Sequence, residues 1–272
     1  MKTNNYLNVF KFEMLKRKKS LLIWGAGLMA VMALYMLIFP MVRDMAETMM
    51  ANMSEELLQI FGMESLADMG NYNAYFASEF QIILVVLCGY TAFTSANIFQ
   101  AEQNLGSCEF LYAVKYNRNQ IFINKSLTVL VSSLALLLST MIVAILAGFI
   151  VASDQINFGA ILFTYLILTL PIIFSFAVGL FFASISKKGS NAGAIALTIV
   201  IVSYIIGYIA LLGPKSLEFL IWLSPLLLLS PSEALNHITS SSDLTILRIL
   251  YVLVISAILY VLAFMQHKKK DL

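Results

Sequence analysis

Long apolar runs without a charged residue constrain this chain more than any other feature of its sequence. Helices of a soluble protein need a polar face toward water, and these runs have none. Each approaches or exceeds the roughly 20 residues that a helix needs to cross a hydrocarbon core about 30 Å thick. The chain is 60% apolar and only 12% charged, which is outside the usual range of soluble domains. The sequence therefore predicts an all-α, polytopic membrane protein. We place its six transmembrane helices at residues 21–39, 80–101, 126–153, 158–186, 189–214 and 246–266.

Positive charge is concentrated in alternate connections between these spans. Clusters of Lys and Arg precede the first span, separate the second from the third and the fourth from the fifth, and follow the sixth. The other connections hold few cations and most of the acids. Because cytoplasmic loops carry the excess of Lys and Arg, we expect both termini in the cytoplasm. An even number of spans agrees with that, and the predicted location is the cell membrane.

The first 19 residues are expected to form an amphipathic interfacial helix on the inner membrane surface. Leu7, Phe10 and Met14 share one helical face, and the basic run at 16–19 suits anionic headgroups. An equally open reading is that the basic run only fixes the topology. Span one is expected to end at Pro40, because proline usually breaks a helix.

Two segments are expected on the outer side. Residues 41–78 are rich in Met and acids, which is typical of a cap packed on the bundle. A Met-rich surface that adapts to apolar ligands, and a copper site, are the alternatives. Residues 216–232 lie between spans five and six, are interrupted by Pro225 and Pro231, and are too short to cross. Their length favours an extracellular re-entrant segment.

Several classes of function are disfavoured by residues that the spans do not contain. No ionisable side chain lies inside a predicted span core, whereas proton-coupled carriers and charged pores need such groups. His237 and His267 fall outside the spans and are expected at the surface. No G-x-x-x-x-G-K-[ST] phosphate loop is present. We predict no catalytic residue, no metal site, no cofactor bound by this chain and no nucleic-acid partner.

The polar stretch at 102–125 separates the second and third spans on the cytosolic side. On a helix, Leu105, Cys108 and Leu111 share one face, and Glu102 and Glu109 share another. The carboxylates could meet basic residues of a partner while the apolar face packs on the bundle. The plainer alternative is a juxtamembrane helix that only closes the bundle.

This stretch resembles the first cytosolic loop of ABC-2 type transporter permeases. The resemblance rests on the Glu-x-x-x-Gly-Ser-x-Glu-Phe-Leu run that begins at Glu102, on Asn117-Arg118 and on Lys125. The sequence FASISKK at 182–188 is similar to the second cytosolic turn of that family. Ser224-Pro225 lies where these permeases carry extracellular re-entrant helices.

The resemblance implies the membrane subunit of an ABC exporter, in which two permease halves pair with two separate ATPase subunits. ATP and Mg would be bound by those ATPases, and the helix at 102–112 would be the coupling helix. The residues that the resemblance assigns to ATPase coupling are Glu102, Gly106, Ser107, Glu109, Phe110, Leu111, Arg118, Lys187 and Lys188.

Our hypothesis from the sequence is export by alternating access. The cavity is expected between spans one, two and five, at the seam of a homodimer or heterodimer. Its lining is expected to be apolar and uncharged, which favours amphipathic or hydrophobic cargo such as a peptide, a drug or a lipid. A non-transporting immunity or scaffold protein that binds a toxin peptide at its outer segment is the alternative. A polytopic enzyme is the third possibility.

Overall fold

The structure, a computed structural model, describes residues 8–52, 69–105, 118–187, 190–239 and 243–269. These residues form helices and no strand. The longer helices are α1 (Asn8–Asn52), α2 (Tyr72–Leu105), α3 (Arg118–Val151), α4 (Phe158–Ile185), α5 (Ala192–Leu212) and α8 (Asp243–Lys269). Between α5 and α8 lie a 3₁₀ helix (Lys215–Leu223) and two short helices, α6 (Pro225–Leu228) and α7 (Pro231–Thr239).

Six helices of the described part are long and apolar enough to cross a membrane: α1 to α5 and α8. The predicted number of spans is confirmed. The 3₁₀ helix and the helices that follow it bend by 104° at their break, as a broken span or a re-entrant loop would. Buried residues from Ser224 to Leu229 hold this bend against the bundle.

The observed bounds of helix α1 differ from two predicted boundaries. The expected interfacial helix and span one form a single helix of 45 residues, and Pro40 lies inside it rather than at its end. At 1.5 Å per residue the helix is about 68 Å long, roughly twice the hydrocarbon thickness. Proline removes one backbone donor, but packing offsets that cost here because Phe39 and Ala46 on either side are buried. The first part of the predicted outer segment is therefore helical.

Helix α2 begins at Tyr72 rather than at residue 80. Asn71 starts it as an N-cap, because its side-chain oxygen accepts from the backbone N–H of Asn73 at 2.9 Å and of Ala74 at 3.3 Å. Tyr75 is buried in the first turn and donates its hydroxyl to the carbonyl of Tyr35 in α1 at 2.9 Å. Residues assigned to the outer segment thus belong to this span.

Helix α3 also begins earlier than predicted, at Arg118 rather than at residue 126. Lys125, assigned to a polar loop, lies in the helix with its side chain buried. Its Nζ donates to the carbonyl of Ile98 at 3.1 Å and lies 5.5 Å from the ring centroid of Phe99. The helix could extend into polar sequence because α2 supplies a partner for the buried ammonium.

Helices α2 and α4 occupy the centre of the bundle. About 72% of each of these spans is buried, against 17% to 33% of the other four. They approach closely at Gly179, where a Cβ atom would overlap Ser95 and the backbone of Ala92. Small residues at such contacts let two helix backbones approach. The peripheral helices therefore present apolar faces outward, and α2 forms the floor of the grooves between them.

Candidate functional site

The predicted ATPase-coupling residues are only partly described. Gly106, Ser107, Glu109, Phe110, Leu111 and Lys188 lie outside the described residues. Glu102 lies in the last turn of α2, so residues 102–105 extend that helix instead of starting a separate one. Arg118 is the first residue of α3. Lys187 is exposed just after α4, and its carbonyl accepts from the N–H of Ser190 at 3.1 Å.

The ends of these two connections are held together by Gln100, which is buried near the end of α2. Its Nε2 donates to the Oγ of Ser190 at 2.8 Å, and its Oε1 accepts from the backbone N–H of Ala192 at 3.0 Å. Ala192 is the first residue of α5, where backbone donors lack helical partners. Both connections therefore start from helix ends that Gln100 fixes to each other, and we call this contact the platform. An amide near the end of an apolar run was the sequence signal for this contact.

The predicted position of His267, at the same end of the bundle, is wrong. It was expected at the surface, but it is buried, with its ring 5.1 Å from that of Phe122 and 5.6 Å from that of Phe99. Lys125 lies against the same Phe99 ring. The ends of α2, α3 and α8 thus pack around an aromatic cluster. Sequence reasoning missed it because these residues lie far apart along the chain.

A cavity of about 550 Å³ lies between α1, α2 and α5, the three helices proposed for it from the sequence. We call it the inner cavity, because it opens near the end of the bundle that carries Lys187. Its lining consists of Arg17, Ser20 and Trp24 of α1, Val85, Val86, Gly89, Tyr90, Phe93, Thr94 and Asn97 of α2, and Leu197 and Ile201 of α5.

The lining differs from the uncharged surface that the sequence predicted. Arg17 lies in it, because α1 continues without a break from the basic run into the span. Ser20, Thr94 and Asn97 lie toward the same end, whereas Val85 and Ile201 lie toward the middle of the bundle. Trp24 and Tyr90 form a side of the cavity with ring centroids 5.2 Å apart. The inner cavity is therefore polar at one end and apolar at the other.

A second cavity of about 460 Å³ lies at the opposite end of the bundle, and we call it the outer pocket. Its lining is mixed, with Ser78 and Gln81 of α2 and Glu218 of the 3₁₀ helix beside apolar residues such as Leu211 and Leu227. Arg248 of α8 donates from Nη1 to Glu233 Oε2 of α7 at 2.7 Å at its edge. This carboxylate is a charged partner for Arg248 at the edge of the pocket.

The segment between α5 and α8 forms the wall of the outer pocket. Ser203 donates its hydroxyl to the carbonyl of Leu223 at 2.7 Å, and Tyr251 donates to the carbonyl of Trp222 at 2.8 Å. Gly207 lets the backbone approach, because a Cβ atom there would lie 2.5 Å from Ser224 Oγ. The bent segment is thus fixed to both neighbouring spans. The described residues contain no group of His, Cys, Asp or Glu that could hold a metal ion.

Comparison with known proteins assigns the chain to a family of membrane transporters. A family model described as "ABC-2 family transporter protein" matches residues 7–272. No curated protein matches the chain significantly. Members of this family are membrane subunits that normally work with an ABC ATPase. Six apolar helices together with a match over nearly the whole chain identify this protein as a multi-pass membrane subunit of the ABC-2 transporter family.

Proposed function

We propose that this chain is the permease subunit of an ABC exporter that moves amphipathic or hydrophobic cargo out of the cell by alternating access. Peptides, drugs and lipids are the cargo classes that the inner cavity suits. Two copies of a separate ATPase would supply the energy, with ATP and Mg bound to them. The observation that carries the proposal is the inner cavity between α1, α2 and α5.

The relation between the two cavities supports a path across the bundle. Both are lined by α2 and α5, and Val85 of the inner cavity lies one helical turn from Gln81 of the outer pocket. Tyr204 and Tyr208 stack edge to face in adjacent turns of α5, with ring centroids 4.9 Å apart. A rearrangement of one turn of α2 and about two turns of α5 would connect the cavities, as we propose for alternating access.

The open side of the inner cavity supports a second permease subunit. Helix α1 packs mainly on α3, and α5 packs on α2 and the 3₁₀ helix, so the groove between α1 and α5 has only α2 as its floor. Both helices expose large apolar side chains beside the groove, including Ile23 and Val202. A second copy, or a related subunit, would close the groove and form the seam.

The cytosolic end supports docking of the ATPase. Gln100 fixes the end of α2 to the start of α5, so a force applied to either connection would reach both helices that line the cavity. The proposed coupling segment, with Glu109 as its central carboxylate, follows directly from α2. We place both termini and this end of the bundle in the cytoplasm.

The test is the substitution Glu109→Lys in the complete transporter. We expect the wild-type chain to copurify with a P-loop ATPase and to stimulate its hydrolysis, and the variant to lose stimulation because the charge is reversed at the contact. Glu47→Lys makes the same change on an exposed carboxylate at the other end of the bundle and should keep stimulation. If no ATPase copurifies, or the Glu109 variant couples fully, the exporter proposal fails and the scaffold alternative gains support.

A further inference from the structure

Arg17 is the charged residue among the described lining of the inner cavity. It lies on α1 just before the charge-free stretch at 20–42, which is about 35 Å long and covers the hydrocarbon core. Arg17 therefore lies at the depth of the headgroups, while Trp24 lies two turns deeper in the same cavity. Its side chain keeps 24% of its surface exposed, so a ligand in the cavity can reach it.

The hydrogen bonding of Arg17 is incomplete. Its Nε lies 3.8 Å from Glu13 Oε2, which is close enough for attraction but too long for a hydrogen bond. No described group accepts a hydrogen bond from this buried Nε. A guanidinium presents its donors as a planar fork that matches a carboxylate or a phosphate. An anionic group in the cavity could accept hydrogen bonds from the part of the Arg17 side chain that stays exposed.

Glu13 does not cancel the positive charge of this region. Residues 13–19 hold four cations, Lys16, Arg17, Lys18 and Lys19, and one carboxylate. The three lysines are exposed, whereas Glu13 is buried. This segment of α1 is therefore positive overall, and its field attracts an anion toward Arg17.

The rest of the cavity is a single apolar groove. One face of α2 lines the groove with Val86, Tyr90 and Phe93, which lie four and three residues apart. Gly89 lies beside Tyr90 on this face. Gly89 has no side chain to fill the groove and lies against Leu197, where a Cβ atom would be 2.9 Å from Cδ1. The volume of about 550 Å³ is that of a small-molecule site. One chain fits along such a stripe.

We infer that the inner cavity binds a single-chain amphiphile with an anionic headgroup, whose acid pairs with Arg17 and whose chain lies along Phe93 and Val86 of α2. This inference narrows the class of cargo to anionic amphiphiles with one chain. It rests on the proposed function in one respect only, because it treats the bound amphiphile as cargo. The site itself belongs to the permease chain and needs no ATPase.

The experiment measures binding to the purified full-length permease in nanodiscs of zwitterionic lipid, without ATPase. A brominated single-chain fatty acid is titrated, and the saturable part of its quenching of Trp24 fluorescence is recorded. The permease carries Trp222→Phe, so that Trp24 is the tryptophan that reports. We expect saturable quenching by the acid, and none by its methyl ester or by the amine of the same chain. Arg17→Gln should weaken binding of the acid about tenfold or more, because a hydrogen-bonded ion pair is lost.

Two further variants separate charge from shape. Lys19→Gln removes an exposed cation from the same helix and should change binding less than threefold. Val86→Phe should weaken binding by narrowing the groove while Arg17 stays intact, so the inference remains testable even if Arg17→Gln fails to fold.

Equal quenching by acid, ester and amine, or unchanged binding in Arg17→Gln, would overturn the anionic headgroup. Displacement of the acid by an equal amount of a two-chain anionic phospholipid would overturn the single chain. Binding without any ATPase partner would leave the inference standing while the exporter proposal fell.

Discussion

At the scale of single residues, several polar groups inside this bundle have a structural role that sequence reasoning did not assign. Gln100 joins two helices through both ends of its amide, Lys125 donates to the carbonyl of Ile98, and Arg248 pairs with Glu233. In a low-dielectric interior an unpaired polar group is costly, so such residues are retained where a partner is within reach. Their positions were readable from the sequence, but their partners were not.

The substitution Gln100→Leu tests the platform, which is the contact between the end of α2 and the start of α5. We expect it to destabilise the protein by about 1–3 kcal/mol, because the N–H of Ala192 and the hydroxyl of Ser190 lose their buried partner. The measurement is the shift of the unfolding midpoint in detergent. Gln266→Leu makes the same change at an exposed site on α8 and should leave the midpoint almost unchanged. An equal shift in the two variants would show that Gln100 does not hold the platform.

At the scale of elements, the helices that line the cavities differ from the predicted spans chiefly at their ends. The predicted apolar runs fall largely within the observed helices, but α1, α2 and α3 all extend into polar sequence. They extend because neighbouring helices cover their first and last turns, as Tyr35 does for Tyr75. Packing, rather than local propensity, supplies most of the stability of a helix, so these ends could not be placed from local sequence.

The contact between α2 and α4 gives a prediction at this scale. Gly179→Ala should lower the unfolding midpoint and the yield of folded protein strongly, since its Cβ would overlap the backbone of Ala92, which cannot move aside. Gly27→Ala is the matched control, because nothing lies within 4 Å of a Cβ atom at that helical position. If both variants are equally stable, α2 and α4 do not approach as closely as the structure shows.

At the scale of the whole molecule, the bundle has a buried pair of helices, α2 and α4, surrounded by four more exposed ones. This arrangement leaves a groove open on one side between α1 and α5, and it fixes the bent segment after α5 at the far end. The second permease that we propose would pack at the groove, and the proposed ATPases would dock at the end that carries Lys187.

The orientation of the bundle can be tested by labelling with a membrane-impermeant maleimide in a Cys108→Ser background. Asp154→Cys lies in the exposed turn between α3 and α4, and Lys187→Cys lies in the exposed turn after α4. We expect Asp154→Cys to react in intact cells and Lys187→Cys only after permeabilisation, because cations are retained on the cytoplasmic side. Cys88 is buried and should not contribute to the signal. The reverse pattern would show that the predicted topology is inverted.

The sequence by itself determined the class of this protein, the number of its spans and the family that it resembles. These follow from local properties, namely the length of apolar runs and a short polar motif, and the resemblance agrees with the family match over residues 7–272. The inner cavity also lies between the three helices that were proposed from the sequence. Only the tertiary structure decided that Arg17 lines that cavity, that α1 passes through Pro40, and that Gln100 and His267 are buried in contacts between helices. The physical reason is that a helix crosses a membrane because of its own composition, whereas the surroundings of a polar side chain depend on which helices pack beside it.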